Sequence, residues 1–210
     1  MSIKLAYWGH YDCIFHSQYI DKFEYFGFEE NKYSKSLYSA VIKSGKNAHI
    51  VKSKKEMLDV IKNEQKVDLT IVGSFGIILS SEIIDYLNRK VINLHAASLP
   101  DYRGGLPLPQ VILNREEKMG FTSHVLNEEI DSGAIILKKY IDIDYSKNYE
   151  SNNIRLVQTM PEVLDESIKL FIEEKIDFSK KYCGGTYHPV LDQKTLDRVM
   201  SISKLQDLFN

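Results

Sequence analysis

The sequence predicts an α/β fold in which a doubly wound, mostly parallel sheet carries helices on both faces. Short apolar runs typical of buried strands alternate with helical patterns along the first hundred residues, which is the β-α-β order of such sheets. With 210 residues, of which 43% are apolar, the chain is long enough to bury a substantial core. We therefore expect one main domain of about 150–180 residues with a small appendage.

Strands and helices alternate through the first half of the chain. Serine residues precede the helical patterns and act as candidate N-caps, and Gly45 ends the first helix in the way helices commonly end. Residues 10–33 are aromatic and polar and fit a helix only in part, because Gly27 predicts a break. Strands are predicted over residues 3–8, 48–51, 67–73 and 91–94, and helices over residues 34–44, 53–64 and 81–87, which begin at Ser34, Ser53 and Ser80 or Ser81.

The second half is predicted to contain two neighbouring strands and two helical regions. Pro107 suits the first position of a helix. Residues 121–126 and 134–143 are rich in β-forming side chains and flank a turn region. The pattern over residues 148–174 predicts a long amphipathic helix, which Pro161 kinks or splits.

The last part of the chain is expected to be a distinct appendage. We place the main domain at residues 1–178 and the appendage at residues 179–210. The run C-G-G-T-Y-H-P-V-L-D at residues 183–192 can form a hairpin, and a short final helix follows it. Apolar side chains in this tail can form a dimer contact or pack on their own domain; they are Tyr187, Val190, Leu191, Leu205, Leu208 and Phe209.

Charge and cysteine usage narrow the class of protein. The formal charge is -2, from 27 basic and 29 acidic residues, so no basic footprint for nucleic acid is present. Two cysteines, Cys13 and Cys183, make no disulfide framework, although one disulfide is compatible with them, and no His/Cys cluster has zinc spacing. The N-terminus is too quickly polar for a signal peptide, and no apolar run approaches a membrane span. We expect a soluble cytoplasmic protein without a metal.

An amide, an imidazole and a carboxylate stand out as candidate chemistry. Asn93 and His95 flank Leu94 at the end of a predicted strand, so their side chains face the same way, and Asp131 lies in a predicted loop that Gly133 allows to be tight. Together such groups stabilise an oxyanion and move a proton, the two tasks of acyl transfer. The structural alternative is a hydrogen-bonded core pair followed by an ordinary turn.

The segments around these residues resemble the folate-dependent formyltransferases. The first reads V-I-N-L-H-A-A-S-L-P-D-Y-R-G-G-L-P at residues 91–107, and the second reads G-F-T-S-H-V-L-N-E-E-I-D-S-G-A-I-I at residues 120–136. The family has Asn-x-His-Pro-Ser-Leu-Leu-Pro-x-aromatic-Arg-Gly and, at this distance, Asp-Glu-x-x-Asp-x-Gly. Ala96-Ala97 replaces Pro-Ser and Asn127-Glu128 replaces Asp-Glu, but neither change removes a member of the polar set.

The resemblance implies a role for each polar residue. In the family, an amine attacks the formyl carbon of N10-formyltetrahydrofolate, the co-substrate. Carried over, Asn93 donates to the oxyanion, His95 is the acid and base, and Asp131 orients the imidazole or tunes its pKa. His124, on a predicted strand, is expected to pack or support rather than to react.

The resemblance also implies where the folate and the acceptor bind. The pterin pocket is expected at Phe75, Gly76, Ile77, Ile78, Leu79, Ile130 and Asp131, although residues 77–79 equally fit a plain core. The acceptor site is expected to include Tyr102, Arg103, Gly104, Gly105 and Pro107, and after the first strand Trp8, Gly9, His10 and Tyr11. For the residues from Tyr102 to Pro107, the alternative is an ordered surface loop without a role in binding.

Three acceptors compete within the family. Methionyl-tRNA needs a nucleic-acid platform, which a C-terminal barrel supplies in that branch, and neither the length nor the charge of this sequence leads us to expect one. Glycinamide ribonucleotide needs a phosphate loop after the first strand, where this chain has W-G-H-Y-D at residues 8–12, with one glycine and no lysine. Two features favour the sugar N-formyltransferases. One is the aromatic-rich segment of residues 7–28, which can stack a nucleobase or form core, and the other is the tail at residues 183–192.

The resulting expectation is transfer to a nucleotide-linked amino sugar. The expected acceptor is dTDP-4-amino-4,6-dideoxyglucose, with a 3-amino sugar nearly as suitable, in the synthesis of O-antigen or lipopolysaccharide precursors. The sugar branch is commonly dimeric, so we expect a homodimer. The alternatives from other classes are a folate- or nucleotide-binding module without catalysis and a hydrolase that removes the formyl group with water.

Overall fold

The structure, a computed structural model, describes residues 3–180 and 184–209 and contains one seven-stranded sheet. The strands are β1 (Leu5–Gly9), β2 (Phe23–Glu29), β3 (Asn47–Val51), β4 (Leu69–Gly73), β5 (Val91–His95), β6 (Lys118–Val125) and β7 (Ile135–Asp142). Their order is β3-β2-β1-β4-β5-β6-β7. The neighbours from β3 to β5 are parallel, whereas β6 is antiparallel to both β5 and β7. The predicted doubly wound, mostly parallel sheet is confirmed.

Helices cover both faces of this sheet and create two buried clusters. The helices are α1 (Ser34–Lys43), α2 (Lys54–Asn63), α3 (Ser81–Tyr86), α4 (Pro107–Leu113), α5 (Tyr149–Val157), α6 (Met160–Ile172) and α7 (Gln193–Ser201), with short 3₁₀ turns at Asp12–His16, Ile20–Lys22 and Leu205–Phe209. Along β1, Leu5 and Tyr7 enter the larger cluster, while Ala6 and Trp8 enter the cluster under α2 and α3. This alternation is why β1 is buried along its whole length.

Strand β2 is the main element that the sequence pattern does not predict. Residues 23–29 were expected to be partly helical with a break at Gly27, yet they pair in parallel with both β1 and β3. A Cβ atom on Gly27 would lie 2.0 Å from Cε3 of Trp8, so the glycine makes room for the indole ring. Because β2 is buried on both faces, its side chains lack the alternation that marks a strand.

The helix boundaries mostly follow their predicted caps. Ser53 Oγ accepts a hydrogen bond from the Glu56 amide at 3.2 Å and caps α2 as predicted. The Ser34 hydroxyl does not cap α1, because it accepts from the Asn31 amide and donates to the Glu29 carbonyl. The long helix predicted over residues 148–174 is split into α5 and α6, with Pro161 in the first turn of α6.

The residues after 184 pack on the rest of the chain. Val199, Leu205 and Leu208 are buried in the same cluster as the strands. In place of a hairpin, the described part of the tail makes a parallel bridge between Tyr187 and Arg103. The division of the chain into a main domain, residues 1–178, and an appendage, residues 179–210, remains our proposal.

Two further sequence-based expectations concern cysteine and the membrane. Cys13 is a free, buried thiol whose pKa is raised to about 12, mainly by burial, whereas Cys183 lies outside the described residues. Within residues 3–180 and 184–209, no helix has both the length and the apolar character needed to cross a membrane.

Candidate active site

The carboxyl end of β5 brings the first two polar residues together. Ile92 and Leu94 enter the larger core cluster, so Asn93 and His95 point to the opposite face of the sheet, as the alternation predicts. On the neighbouring antiparallel strand β6, His124 pairs with Asn93. Cross-strand partners share one face, so His124 joins the same polar cluster.

Asp131 completes the cluster from the loop between β6 and β7. Its Oδ1 accepts a hydrogen bond from Asn93 Nδ2 at 3.1 Å, and its Oδ2 accepts one from the Gly104 amide at 2.9 Å. The same Oδ2 lies 3.6 Å from His95 Nδ1. Asp131 has a φ of 48°, a left-handed conformation that is uncommon for a residue with a side chain and that concentrates at functional sites. The predicted set of Asn93, His95 and Asp131 is therefore one spatial cluster.

The carboxyl group of Asp131 is held in its charged form. Burial alone would raise its pKa, but the hydrogen bond and charge that a protonated His124 supplies, the charge of a protonated His95 and the Gly104 amide outweigh burial and lower the pKa to about 2. Its side chain is only 12% exposed. A carboxylate is therefore fixed beside the imidazole of His95 at neutral pH.

The tautomer of His95 follows from its backbone contact. His95 Nε2 lies 2.8 Å from the carbonyl oxygen of Tyr102, which only accepts, so Nε2 carries the hydrogen. In the neutral ring, Nδ1 is then the basic nitrogen, and it faces Asp131. Burial lowers the pKa of His95, and the nearby Asp131 carboxylate opposes this shift. The ring is therefore a neutral base at pH 7.

His124 is the functional candidate that the sequence reasoning placed only in a supporting role. Its Nδ1 lies 2.9 Å from the Val125 carbonyl and donates to it, which leaves Nε2 to accept from Asn93 Nδ2 at 3.0 Å. Both Nδ2 hydrogens of Asn93 are thus engaged, one with His124 and one with Asp131. The register of β6 against β5 would have identified His124, but this register is not readable from the sequence.

The loop after β4, where the pterin pocket was expected, is partly exposed. Ile78 is 57% exposed, and Ile130, from the loop that carries Asp131, is 39% exposed. Phe75 and Ile77 are half-buried against the core, and the Gly76 amide donates to Glu29 Oε2 at 2.8 Å. Leu79 is buried and forms part of the core, which was the alternative to a role in the pterin pocket.

The segment after β1 offers less to a ligand than expected. Trp8 is fully buried against Tyr25 and Phe75, so its prediction as an acceptor contact is corrected. The His10 and Tyr11 amides donate to the Gly73 carbonyl and the Tyr7 hydroxyl. The His10 ring nitrogens face the backbone carbonyls of residues 74 and 29. The neighbouring Gly9 has a φ of 153°, and a Cβ atom there would lie 1.7 Å from the Gly73 carbonyl oxygen.

Most aromatic residues of segment 7–28 form core rather than a nucleobase platform; the fully buried ones are Tyr7, Trp8, Phe23, Tyr25, Phe26 and Phe28.

The loop from residue 101 to residue 107 borders the cluster. Tyr102, predicted as an acceptor contact, stacks its ring on His188 with 4.7 Å between ring centres, and its hydroxyl donates to Glu116. Burial and Glu116 raise the Tyr102 pKa to about 12. Arg103 lies 3.9 Å from Glu129, and its Nε has no hydrogen-bond partner among the described residues. The Gly104 amide donates to Asp131 Oδ2. Gly105 lies against Val190, and Pro107 is the buried first residue of α4.

No metal centre accompanies this cluster in the described part of the chain. No group of three or more His, Cys, Asp or Glu side chains there has the geometry to hold a metal ion. An open cleft of about 650 Å³ lies elsewhere, between β7 and α6, lined by residues such as Lys138 and Glu162, and none of Asn93, His95 and Asp131 lines it. The arrangement at the cluster is a carboxylate, a neutral imidazole and an amide, a set suited to acid–base chemistry at a carbonyl.

The class of this protein follows from its match to a family of known proteins. The family model described as formyl transferase matches residues 24–168. The chain belongs to the formyl transferase family, which confirms the resemblance at the family level and extends it beyond the two motifs.

The curated relatives that the chain matches include methionyl-tRNA formyltransferases. The methionyl-tRNA formyltransferase of Thermotoga maritima is 29% identical over 153 residues, which are 72% of this chain and 48% of that protein. The chain thus spans about half the length of the curated relatives it matches.

Solved structures support the fold. PseJ of Anoxybacillus kamchatkensis, a formyltransferase solved with UDP-4,6-dideoxy-4-formamido-L-AltNAc and tetrahydrofolate, gives a TM-score of 0.68 at 21% identity. The alignment covers 98% of this chain and 97% of PseJ. Glycinamide ribonucleotide transformylase 1 of Symbiobacterium toebii gives 0.73 at 15% identity, over 90% of this chain and 94% of that one.

Proposed function

We propose that this chain is an N-formyltransferase that moves the formyl group of N10-formyltetrahydrofolate to the amine of a nucleotide-linked amino-dideoxy sugar. The observation that carries the proposal is the cluster of Asn93, His95 and Asp131, which lies inside the segment that matches the formyl transferase family. The expected acceptor is dTDP-4-amino-4,6-dideoxyglucose, and the expected pathway is the synthesis of O-antigen or lipopolysaccharide precursors.

The proposed reaction proceeds through a tetrahedral intermediate. The neutral amine of the acceptor attacks the formyl carbon, and the formyl oxygen takes up negative charge. His95 removes the extra proton from the attacking amine through Nδ1 and delivers it to N10 of the folate. The bond from carbon to N10 then breaks, and the products are the formamide and tetrahydrofolate.

The surroundings of His95 suit this proton transfer. Burial lowers its pKa, so the imidazole is available as a base at pH 7, and Asp131 stabilises the imidazolium that forms during the step. Asn93 is the proposed donor to the oxyanion. Because both Nδ2 hydrogens are engaged with His124 and Asp131, the amide must release one of these contacts to reach the formyl oxygen.

Exposed apolar side chains next to the cluster are the proposed folate contacts. Ile78 and Ile130 are both accessible; Ile78 lies in the loop after β4, the parallel neighbour of β5, and Ile130 lies in the loop that carries Asp131. A flat heterocycle buries apolar surface on such side chains and pairs its polar edge with nearby backbone groups. We propose that Gly76 and the half-buried Phe75 and Ile77 complete this wall.

The amides after β1 argue for a sugar acceptor over glycinamide ribonucleotide. A phosphate cradle needs free backbone N–H groups, but the amides of His10 and Tyr11 are already hydrogen-bonded and Asp12 adds a negative charge. Similarity in fold to PseJ extends over nearly the whole of both chains. Arg103 is the proposed contact to the diphosphate of the acceptor, because its partly exposed guanidinium is a fixed cation in the loop that borders the cluster.

Methionyl-tRNA is the second candidate acceptor, because the curated relatives described above are methionyl-tRNA formyltransferases. An assay of tetrahydrofolate release from N10-formyltetrahydrofolate distinguishes the candidates. Its acceptors are a dTDP-linked 4-amino sugar, its 3-amino isomer, a UDP-linked 4-amino sugar, glycinamide ribonucleotide, methionyl-tRNA and none.

The proposal expects turnover with one amino sugar only. Turnover with glycinamide ribonucleotide or methionyl-tRNA would overturn the acceptor, and turnover without an acceptor would indicate a hydrolase. His95→Ala and Asn93→Ala are expected to lower turnover, since removal of one oxyanion donor costs about 10²–10³ in rate. Activity close to the wild type in His95→Ala would overturn the mechanism.

A homodimer is also proposed, without nucleic acid or membrane as partner. Of the tail residues considered for the contact, Tyr187 and Val190 are about half exposed, whereas Leu205 and Leu208 are buried within the chain. Light scattering at micromolar concentration tests the proposal, and a monomer mass would overturn it.

A further inference from the structure

The tail segment of residues 185–189, here called the strap, runs along the loop that borders the polar cluster. Its backbone makes two hydrogen bonds with that of Arg103: the Arg103 amide donates to the Thr186 carbonyl at 2.9 Å, and the His188 amide donates to the Arg103 carbonyl at 2.8 Å. Gly185, with a φ of 77°, begins the strap in close contact with the carbonyl of Pro100. The strap therefore holds the loop on both sides of Arg103.

The side chains of the strap form an ordered chain of donors. Gln110 Nε2, on α4, donates to the Pro189 carbonyl, so its Oε1 accepts from His188 Nδ1 at 2.8 Å. His188 Nε2 is then the acceptor for the Thr186 hydroxyl at 2.9 Å. The Thr186 oxygen in turn accepts from the Tyr102 amide at 3.2 Å. Every member of this chain has a partner, which favours one fixed arrangement.

The loop that the strap holds is conformationally unusual. Tyr102 has a φ of 61°, and Gly104 has a φ of 113° with the His188 carbonyl oxygen 2.4 Å from where a Cβ atom would lie. A residue with a side chain in the left-handed region costs of order 1–3 kcal/mol and persists only where its surroundings hold it. The stack of the Tyr102 ring on His188 and the hydrogen bonds described above supply that support.

The same loop contacts the two titratable members of the cluster through its backbone. The Tyr102 carbonyl accepts from His95 Nε2, and the Gly104 amide donates to Asp131 Oδ2. The carbonyl is what assigns the hydrogen of the neutral His95 ring to Nε2 and leaves Nδ1 as the base. A shift of the loop would therefore act on His95 and Asp131 together.

We propose that the strap, through His188 and Thr186, positions the loop so that His95 keeps a single tautomer with Nδ1 as its basic nitrogen. His188 is a positioning residue, and it does not touch the reacting atoms. The inference rests on the proposed function only for its effect on turnover, because the tautomer of His95 is a property of the free protein.

The direct test is the ¹⁵N NMR spectrum of His95 in the free protein at pH 7, assigned by its absence in His95→Asn. The wild type is expected to show a protonated Nε2 and an unprotonated Nδ1. In His188→Ala the two nitrogen shifts are expected to move towards each other as both tautomers become populated. Lys194→Ala, an exposed change in α7 of the same tail, is the matched control and is expected to leave the spectrum of His95 unchanged.

The kinetic test separates positioning from binding. His188→Ala is expected to lower kcat by about 10–100-fold with little change in KM for either substrate, because misplacement of a catalytic group by about 1 Å has an effect of this size. His188→Asn, which keeps a donor to Gln110 but loses the ring, is expected to recover part of kcat. If His188→Ala does not fold, Thr186→Val, which removes both the acceptor for the Tyr102 amide and the donor to His188 Nε2, serves in its place.

The outcomes distinguish this inference from the proposed function. An unchanged His95 tautomer with unchanged kcat in these variants would overturn the inference and leave the formyl transfer intact. A changed tautomer in a protein whose wild type transfers no formyl group would support the strap and overturn the proposed function.

Discussion

His95 is a buried imidazole beside a carboxylate, and these surroundings act on its pKa in opposite directions. Burial lowers the pKa and prevails, while Asp131 favours the protonated ring. The acid limb of kcat/KM is therefore expected below pH 6.5, the ordinary pKa of histidine. In Asp131→Asn the limb is expected to move to still lower pH, because the opposing charge is removed.

Profiles of kcat/KM against pH for both proteins provide the measurement. Titration of the acceptor amine is common to both proteins, so the difference between the two profiles reports on the enzyme. A limb that moves to higher pH in Asp131→Asn would contradict this assignment of the charges.

The same carboxylate is expected to contribute to stability. Its pKa is about 2 in the folded chain against 3.8 for a free side chain, so its contribution is complete above about pH 4 and is lost as the pH falls towards 2. A difference of this size corresponds to about 2 kcal/mol when the imidazoles are protonated and to less at pH 7, where the ring of His95 is neutral. Asp131→Asn should lower the free energy of unfolding at pH 7 by no more than about 2 kcal/mol, and this loss should disappear as the pH falls towards 2.

Urea unfolding at several pH values tests this expectation. Asp21→Asn, an exposed change, is the control and should stay within about 0.5 kcal/mol of the wild type at pH 7. An equal loss for Asp131→Asn at pH 7 and pH 2.5 would show that its effect does not come from the charge.

Two helices offer a matched comparison at the scale of elements. Ser53 and Ser80 both occupy the N-cap position, of α2 and α3, but only the Ser53 side chain accepts a hydrogen bond from its helix. Ser53→Ala should therefore lower the free energy of unfolding by about 1 kcal/mol, since it leaves one amide without its acceptor. Ser80→Ala should cost less than about 0.5 kcal/mol.

Denaturant unfolding of the two variants gives the comparison under identical conditions. Equal losses would mean that the hydroxyl of Ser53 does not act as a cap.

For the whole molecule, the end of the chain is expected to unfold together with the sheet. Leu205 is fully buried in the larger cluster, so Leu205→Ala removes buried methyl groups and leaves a cavity. Its expected cost is about 2–5 kcal/mol, within a single cooperative transition. Circular dichroism of the helices, which include α7 of the tail, and the fluorescence of Trp8, which lies in the sheet, should report the same midpoint, and two separate midpoints would show that the tail unfolds alone.

The order of strands and helices was predictable from apolar runs, caps and glycines, because these are local signals. Strand β2 was not predictable, because aromatic residues on both of its faces hide the strand period, and Gly27 is required by the distant ring of Trp8. At the site, the spacing around Asn93 and His95 predicted their shared face. The contribution of His124 and the strap depends on strand register and on contacts between residues more than 80 positions apart, such as Tyr102 and Thr186.

The burial of Trp8 gives the protein a built-in optical probe. It is the single tryptophan of the chain, it has no solvent exposure, and its ring lies edge-on to Phe75 with 5.7 Å between ring centres. Its emission should therefore be blue-shifted in the folded chain and move to longer wavelength on unfolding. Because Phe75 belongs to the loop proposed to bind the folate, a rearrangement of that loop should change the intensity without a label, which allows binding to be followed in the unmodified protein.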